Sequence, residues 1–324
     1  MNYRRLSGVA SVILANSAIR SVFSSVFLNR YSIGTFNSLF ENSHGLLLDI
    51  FVRLAKRPQF DFVWEISLSN GKQIFVDVDK NDRRSFEFAL SYKWHDRGLR
   101  RLENILNDNV DLNRSYIDIG ANLGLRSLYS LSLGRKTVLF EPNKNLRKFT
   151  QNLFRKNEFD NYRILNMLLS NKKGPSKFYL SSSSYLSSVD VKHAMSDPSG
   201  GNVGEVIVEM STLDDFMNGY FKYEDPGIIK IDVEGHEFEV LQGAVRTIKD
   251  HRPYLMVEIL KIDSHFPEIF SMLSGMAFCC YNISRDLPLT LTKISSMTEF
   301  EEDRRSDNYL FSPGEFNMRE AKIV

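Results

Sequence analysis

The stretch that decides the fold is residues 116–124, which read Tyr-Ile-Asp-Ile-Gly-Ala-Asn-Leu-Gly. An apolar run containing Asp118 turns through Gly120 and Gly124 into a helical pattern. Glycine lets the backbone turn sharply and approach a ligand closely, and the first amides of the following helix point back at that ligand. The stretch therefore predicts a strand–turn–helix unit with a ligand at the open end of the strand.

A second apolar run, residues 137–140, ends on Glu141. In dinucleotide-binding folds an acid at this place, about 20 residues past the glycine turn, hydrogen-bonds the ribose hydroxyls. The dinucleotide pattern G-x-G-x-x-G is not matched, because the glycines are four apart and Asp118 precedes the first of them by two. An acid there would repel a pyrophosphate and would attract a cation. We therefore expect S-adenosylmethionine, which has a zwitterionic methionine end, a positive sulfonium and no phosphate.

A third apolar run ends in a cluster of titratable residues, Lys-Ile-Asp-Val-Glu-Gly-His-Glu at 230–237. Lys230 and Asp232 are two apart, so they share one face of a strand, and a lysine in an apolar strand needs a partner. The cluster lies at the carboxyl end of a predicted central strand, which is where open α/β sheets bind ligands. We expect Asp232, Glu234 and His236 to lie beside the substrate group that would accept a methyl from S-adenosylmethionine. One of the three would serve as the general base.

That cluster also has a structural interpretation. It could be an ion-pair network that caps the next helix, with Glu237 in the first turn, and His236 could be a helix-end residue that faces solvent. Glu258 ends the following apolar run and is expected near the same edge of the sheet.

From residue 115 onwards, strand and helix patterns alternate, which predicts a mostly parallel sheet with helices on both faces. The predicted strands are 115–119, 137–141, 162–167, 227–232 and 254–259, and the predicted helices are 123–132, 144–156, 213–221 and 235–249. Residues 278–284 and 308–312 are predicted to pair as a hairpin at the sheet edge. Between Leu180 and Thr212 we expect a long loop, either a lid or a disordered segment, with Tyr185 and His193 as candidate substrate contacts.

The N-terminal third predicts an accessory region. Asn70-Gly71 lies between two alternating runs, which is a strong hairpin signal, and a helical pattern follows over residues 84–107. We divide the chain into an accessory region at 1–85 and a catalytic domain at 86–324. Residues 9–28 are too interrupted by polar groups for the roughly 20-residue span of a membrane helix. They predict an amphipathic helix that packs on the domain or lies at a membrane surface; a signal peptide is the alternative.

Composition limits the classes of partner and compartment. The chain has 324 residues, of which 43% are hydrophobic and 25% charged, as in a globular protein with a buried core. The 41 basic and 40 acidic residues give a net charge of +1, so no global field favours nucleic acid. Cys279 and Cys280 are adjacent and form no disulfide framework. We expect a cytoplasmic protein, in contact with the inner face of the membrane only if residues 9–28 supply that contact.

At these residues the chain resembles the FkbM family of S-adenosylmethionine-dependent methyltransferases, over about residues 86–312. The resemblance implies a class I methyltransferase fold, which is Rossmann-like, and methylation of a hydroxyl on a sugar, glycolipid or polysaccharide precursor, or on a related small molecule. The motifs that carry the resemblance, in the family's order, are Asp118–Gly124, Phe140–Asn143, Thr212–Asp214, Lys230–Ala244, Arg252-Pro253 and Glu258.

The resemblance also implies residue roles. It puts Asp118, Gly120, Asn122 and Gly124 on the methionine part of the cofactor and Glu141 on the ribose. The remaining residues expected at the cofactor are Ala121, Asn143, Ser170 and Asp232. The family often has Ala-Leu-Ser-Asp after the third strand, where this chain has Leu-Leu-Ser-Asn at 168–171, so the acid is replaced by Asn171.

Two other functions fit the same fold. A nicotinamide-dependent oxidoreductase would share the sheet and the ribose acid, but the missing G-x-G-x-x-G argues against it. A glycan-binding module without turnover would need neither the acid–glycine turn nor Glu141. We expect no metal, because Asp232 and Glu234 lack an evident third oxygen ligand. The sequence leaves the oligomeric state open.

Overall fold

The computed structural model describes residues 62–79, 96–181, 187–195, 203–219, 224–260, 265–302, 306–317 and 322–323, together with Ser85, Phe88 and Tyr92. The chain divides into two compact units, one of residues 1–66 and 75–90 and the other of residues 67–74 and 91–324. Residues 9–28 and Tyr185, and the side chain of His193, lie outside what is described, so the expectations for them stay predictions.

The Asn-Gly hairpin is confirmed. Strands β1 (Phe62–Ser67) and β2 (Gln73–Val78) form a two-stranded sheet. The amide of Lys72 donates to Asn70 Oδ1 at 3.1 Å, and the amide of Leu68 donates to the Lys72 carbonyl at 2.9 Å. Gly71 has φ +86°, the left-handed conformation that this tight turn requires.

Among the residues that the structure describes, the main sheet has nine strands. In chain order they are β3 (Ser115–Ile119), β4 (Thr137–Phe140), β5 (Tyr162–Leu165), β9 (Pro226–Ile231), β10 (Tyr254–Glu258), β11 (Cys279–Ile283), β12 (Thr290–Ile294), β13 (Asn308–Ser312) and β14 (Lys322–Ile323). Their spatial order is β14-β12-β11-β13-β10-β9-β3-β4-β5. The five strands from β10 to β5 run parallel, and β13 runs antiparallel to both of its neighbours. This arrangement confirms the mostly parallel α/β fold and the class I methyltransferase architecture.

The described helices are α1 (Arg97–Asn109), α2 (Ser127–Ser132), α3 (Lys144–Lys156), α4 (Val191–Met195), α5 (Leu213–Gly219), α6 (Glu237–Gln242), α7 (Val245–His251), α8 (Phe266–Gly275) and α9 (Met297–Glu302). They cover both faces of the sheet, because alternate strand residues enter different cores. Ile117 and Ile229 belong to one apolar cluster, and Tyr116 belongs to the other, which includes Leu102 and Leu106 of α1.

Three predicted elements need correction. The helix predicted over 84–107 is not continuous: Asp96 has φ 44°, which interrupts a right-handed helix, and α1 begins after it. The helix predicted over 235–249 is broken at Gly243, where a Cβ would lie 1.9 Å from the Ser170 carbonyl oxygen. The helix predicted from residue 123 begins only at Ser127.

The predicted loop between Leu180 and Thr212 is wrong in part. Residues Gly204–Ser211 form strand β8, which pairs antiparallel with β7 (Gly174–Leu180) and parallel with β6 (Leu168–Leu169). The physical reason is that alternate residues over 205–210 face opposite sides of a strand. Val208 and Met210 therefore face the same side and pack with Phe178 in a small core. The predicted hairpin of 278–284 with 308–312 does exist as the β11–β13 pair, but β12 and β14 lie outside it, so it is not the sheet edge.

A buried arginine anchors the end of α1. Arg135 is 0% exposed and its guanidinium donates to the carbonyls of residues 107, 110, 111 and 114, which surround the helix end and the following loop. Its Nε also donates to Asn107 Oδ1 at 3.0 Å. Among the helices of the described residues, none is long and apolar enough to cross a membrane.

Candidate functional site

The glycine turn after β3 packs backbone against backbone on the end of β9. Gly120 has φ +78°, and a Cβ on it would lie 1.8 Å from the carbonyl oxygen of Asp232. The Asp232 amide donates to the Ile119 carbonyl at 3.0 Å. Gly124 has φ +72°, and its Cβ would lie 2.5 Å from Thr150 Cγ2. Both glycines are therefore required by close approach as well as by conformation.

Glu141 holds the outer side of this turn. Its Oε2 accepts from the Asn122 amide and its Oε1 accepts from the Asn143 amide, each at 2.8 Å. The side chain is 5% exposed, and burial raises the pKa of Glu141 to about 7. Each carboxylate oxygen has a further lone pair, so the group can still accept hydrogen bonds from a ligand.

Asp118 is fully buried beneath the turn. Its Oδ2 accepts from Ser127 Oγ at 2.7 Å, and Lys230 Nζ lies 3.9 Å from its Oδ1. Burial raises the pKa of Asp118. Within the described residues, Asp118 Oδ1 and Asn122 Oδ1 are buried acceptors without a hydrogen-bond donor. Such atoms are costly unless a ligand or water satisfies them.

Lys230 and Asp232 pair as expected. Lys230 Nζ donates to Asp232 Oδ2 at 2.7 Å, and the lysine side chain is 5% exposed against 26% for the aspartate. Burial disfavours the charged form of Lys230, but the negative charges of Asp232 and Asp118 outweigh the effect of burial and raise the pKa of Lys230. Burial also opposes the charge of Asp232, but the Lys230 ammonium holds the pKa of Asp232 below its usual range.

The four acids lie at the carboxyl ends of four neighbouring strands. Glu141 follows β4, Asp118 is the last residue but one of β3, Asp232 follows β9 and Glu258 ends β10. The strand order places them in a row, because neighbouring strands are about 4.8 Å apart. We call this set the acid row.

The loop between β9 and α6 is organised by Glu237. This side chain is 1% exposed and accepts from the amides of Val233 at 3.0 Å and Gly235 at 3.1 Å. Burial raises its pKa to about 7. Glu234 has φ 58°, and burial, followed by the charges of Asp232 and Glu237, raises its pKa to about 8. The loop is thus both a structural cap and a turn that carries a partly buried acid.

His236 lies at the N-terminal end of α6 with both ring nitrogens in contact with protein groups. Its Nε2 is 2.9 Å from Ser170 Oγ, and its Nδ1 is 3.4 Å from Glu239 Oε2. Burial lowers the pKa of His236. Asn171, which replaces the acid of the family motif, donates through Nδ2 to Gln242 Oε1 at 2.7 Å. Ser170 and Asn171 therefore connect the end of β6 to α6.

Two other expected residues have structural contacts. Asn143 Oδ1 accepts from the Asn145 amide at 3.0 Å and so caps α3, while the Ala121 amide donates to the Phe140 carbonyl at 3.1 Å. Asp214 of the Thr-Leu-Asp motif accepts from the amides of Arg246 and Thr247 at 2.9 and 2.8 Å, so it caps α7.

Sequence reasoning missed a buried charge cluster beside the acid row. Arg126 pairs with Asp96 and with Glu103, each at 3.3 Å, and Tyr116 donates its hydroxyl to Glu103 at 3.3 Å. Glu103 is 2% exposed and lies among the apolar residues of α1. Its position on the buried stripe was a signal that could have revealed it, since a buried acid needs a partner.

The turn, Glu141 and the acid row together define a class of protein: a Rossmann-like α/β protein with an acidic edge at the carboxyl ends of its central parallel strands. The family model described as "Methyltransferase FkbM domain" matches residues 118–281, which is 164 of the 324 residues. The chain belongs to this family and is a methyltransferase. No curated protein matches it.

Solved structures with a similar fold include methyltransferases. An FkbM methyltransferase from Methylobacillus flagellatus KT is 18% identical with a TM-score of 0.39, over 61% of this chain and 43% of that one. A SAM-dependent methyltransferase from Agrobacterium tumefaciens is 8% identical with a TM-score of 0.40, over 78% of this chain and 70% of that one. An rRNA methylase from Streptococcus thermophilus is 9% identical with a TM-score of 0.37, over 66% of this chain and 94% of that one. This chain therefore spans less than half the length of the FkbM structure.

Among the described residues, no group of three or more His, Cys, Asp or Glu side chains is arranged to hold a metal ion.

Proposed function

We propose that the protein transfers a methyl group from S-adenosylmethionine to a hydroxyl of a sugar, glycolipid or polysaccharide precursor. The observation that carries the proposal is the acid row, with unsatisfied Asp118 Oδ1 at its centre. A ligand with an ammonium, a sulfonium and ribose hydroxyls offers charges and donors to such a row. A pyrophosphate would be repelled there, because four acids outnumber the buried cation Lys230, which pairs with two of them.

The residues present fit the cofactor. Asp118 Oδ1 and Asn122 Oδ1 would accept from the methionine ammonium, and Glu141 would accept from the ribose hydroxyls. Gly120 and Gly124 would let the turn keep the close packing and positive φ angles that hold these acceptors in place. When bound, S-adenosylmethionine supplies a methyl carbon activated by its positive sulfur.

The chain must then hold the acceptor and remove its proton. The chain would hold the acceptor hydroxyl against the methyl group, and a protein base would take the hydroxyl proton as the oxygen–methyl bond forms and the sulfur–methyl bond breaks. Of the three expected residues, Asp232 is the one kept ionised, because Lys230 lowers its pKa. Glu234, with a pKa of about 8, retains its proton at neutral pH. We assign the base to Asp232 and leave Glu234 and His236 as contacts to the acceptor or supports of the loop.

The test is to incubate the full chain with methyl-labelled S-adenosylmethionine and lipid-linked glycan extracts, and to analyse by mass spectrometry what gains a methyl. We expect a labelled sugar hydroxyl with the wild type. With Asp232→Asn we expect turnover lower by roughly 10²–10⁴-fold. Labelling of a carboxyl or amine group instead of a hydroxyl would overturn the acceptor assignment.

Equilibrium binding separates this function from the oxidoreductase alternative. S-adenosylmethionine should bind and NAD should not, and Glu141→Ala should abolish the difference. Binding of NAD with the higher affinity would refute the proposal.

A further inference from the structure

Glu258 is the acid of the row to which no role has been given. It ends β10, and the register pairs Val257 of β10 with Ile231 of β9. The next residue on each strand is an acid, so Glu258 and Asp232 leave the sheet side by side at the carboxyl ends of neighbouring parallel strands. The two carboxyl groups are close enough to affect each other, because the charge of Asp232 is the largest cause of the raised pKa of Glu258.

Two carboxyl groups held side by side repel each other when both are ionised, and a hydrogen bond between them requires a proton, because ionised carboxylates only accept. Asp232 is disfavoured as the protonated group, because Lys230 Nζ lies 2.7 Å from Asp232 Oδ2 and favours the charged form of Asp232. The proton therefore belongs to Glu258. In agreement, the charge of Asp232, followed by burial, raises the pKa of Glu258 well above its usual range.

The groups around the pair favour the same assignment. Lys230 and Arg126 act on Asp232, and both favour its ionised form. The acids Asp232 and Asp96 act on Glu258, and they outweigh the lowering effect of Lys230. The charges around the pair therefore favour an ionised Asp232 and a protonated Glu258.

Asp232 is also well placed for the reaction. Its backbone lies against Gly120 of the cofactor turn, and its side chain is 26% exposed, compared with 0% for Asp118. Lys230 contacts its carboxylate and Glu258 follows the neighbouring strand beside it, and the remaining lone pairs of Asp232 can accept from a ligand.

We propose that Glu258 is a positioning residue that donates a hydrogen bond from its protonated carboxyl to Asp232, so that Asp232 is fixed as an ionised acceptor for the substrate hydroxyl. The proposal rests on the proposed methyl transfer to a hydroxyl and adds the group that orients its base. It also restricts the substrate, because a carboxylate acceptor would be repelled by Asp232.

The test uses Glu258→Gln, which keeps a donor of the same shape but cannot ionise, and Glu258→Leu, which keeps the volume but loses the donor. The proton itself is measured first, without any acceptor, by the infrared carbonyl band of a protonated carboxylic acid. We expect the difference between wild type and Glu258→Gln at pH 7 to show the loss of one such band. An unchanged band would overturn the proposal and would leave the proposed function untouched.

Turnover against pH is measured second, with the lipid-linked glycan extract as the probe. In the wild type we expect activity to fall at alkaline pH, where Glu258 ionises and its donor is lost. Glu258→Gln should keep neutral turnover within about tenfold and should lack that part of the fall, while Glu258→Leu should lose roughly 10–100-fold, the worth of a hydrogen bond to a charged group. Equal losses of turnover in Glu258→Gln and Glu258→Leu, with S-adenosylmethionine binding unchanged, would contradict the role of Glu258 as a hydrogen-bond donor.

If Glu258→Gln fails to fold, Asp232→Asn gives the same information. Removing the Asp232 charge should let Glu258 ionise at lower pH, so the infrared band should titrate earlier than in the wild type. A band that titrates at the same pH would refute the pair. If the band behaves as expected and no acceptor is methylated by the wild type, the proposed function fails while the proton-sharing pair stands.

Discussion

Replacing Glu141 by glutamine should damage the site although the two side chains have the same shape. Both carboxylate oxygens accept a backbone amide, from Asn122 and Asn143, at 2.8 Å. A glutamine has one acceptor oxygen and one donor NH₂ group, so one of the two backbone donors must face another donor.

The size of the effect follows from that lost acceptor. A buried donor left unsatisfied costs about 1–3 kcal/mol, and each 1.4 kcal/mol is a factor of ten in affinity. Because Asn122 is part of the cofactor turn, we expect S-adenosylmethionine to bind about 5- to 150-fold more weakly to Glu141→Gln. The free energy of unfolding should fall by a similar 1–3 kcal/mol.

The assay is isothermal titration of S-adenosylmethionine into both proteins, together with urea unfolding. Glu158→Gln is the matched control, because Glu158 is an exposed acid that loses the same charge. We expect the control to bind as the wild type does. Wild-type affinity and stability in Glu141→Gln would refute the argument that the two amides fix the turn.

Three further predictions follow from contacts already described. Gly134→Ala should lower the free energy of unfolding by about 1–2 kcal/mol, because φ is +76° and no atom lies near the new Cβ. Gly124→Ala should lower it by about 1–3 kcal/mol more, because its Cβ would also meet Thr150. Thr150→Ser should restore part of that extra loss in a double-mutant cycle measured by urea unfolding. Asp214→Ala should remove the cap of α7 and lower the free energy of unfolding by about 0.5–2 kcal/mol, seen as a lower urea midpoint. Burial raises the pKa of Glu237 to about 7, so the folded state binds a proton more tightly than the unfolded state does. The resulting contribution to the free energy of unfolding should be complete below about pH 4 and should be lost as the pH rises to 7. Unfolding curves of Glu237→Gln should therefore show a smaller loss of stability between those pH values.

The local parts of the site could be predicted from the sequence. The glycine turn and Glu141 follow from spacing along one strand–turn–helix unit, and Lys230 with Asp232 follows from the two-residue period of a strand. Those contacts lie within one strand or within two consecutive strands joined by one turn and helix, so short-range spacing is enough to predict them.

The rest depended on which elements become neighbours. Glu258 meets Asp232 because β10 lies beside β9, and Arg126 meets Glu103 because α1 covers the same face of the sheet. Neither contact has a signature in the spacing of the residues. The left-handed Asp96 was missed for a similar reason, since its conformation accompanies ion pairs with Arg126 and Arg285 rather than a local breaker residue.

The anchoring of α1 by Arg135 has a practical consequence for handling the protein. The loop after the helix is exposed at Asp111, Leu112 and Asn113, and exposed loop tips are ordinarily where proteases cut and where tags are accepted. Here one guanidinium holds carbonyls on both sides of that tip, so the segment cannot open into the extended form that a protease needs without uncovering a buried cation. Resistance of this loop to limited proteolysis would then report on Arg135, and an affinity tag inserted at Leu112 would be a poor choice.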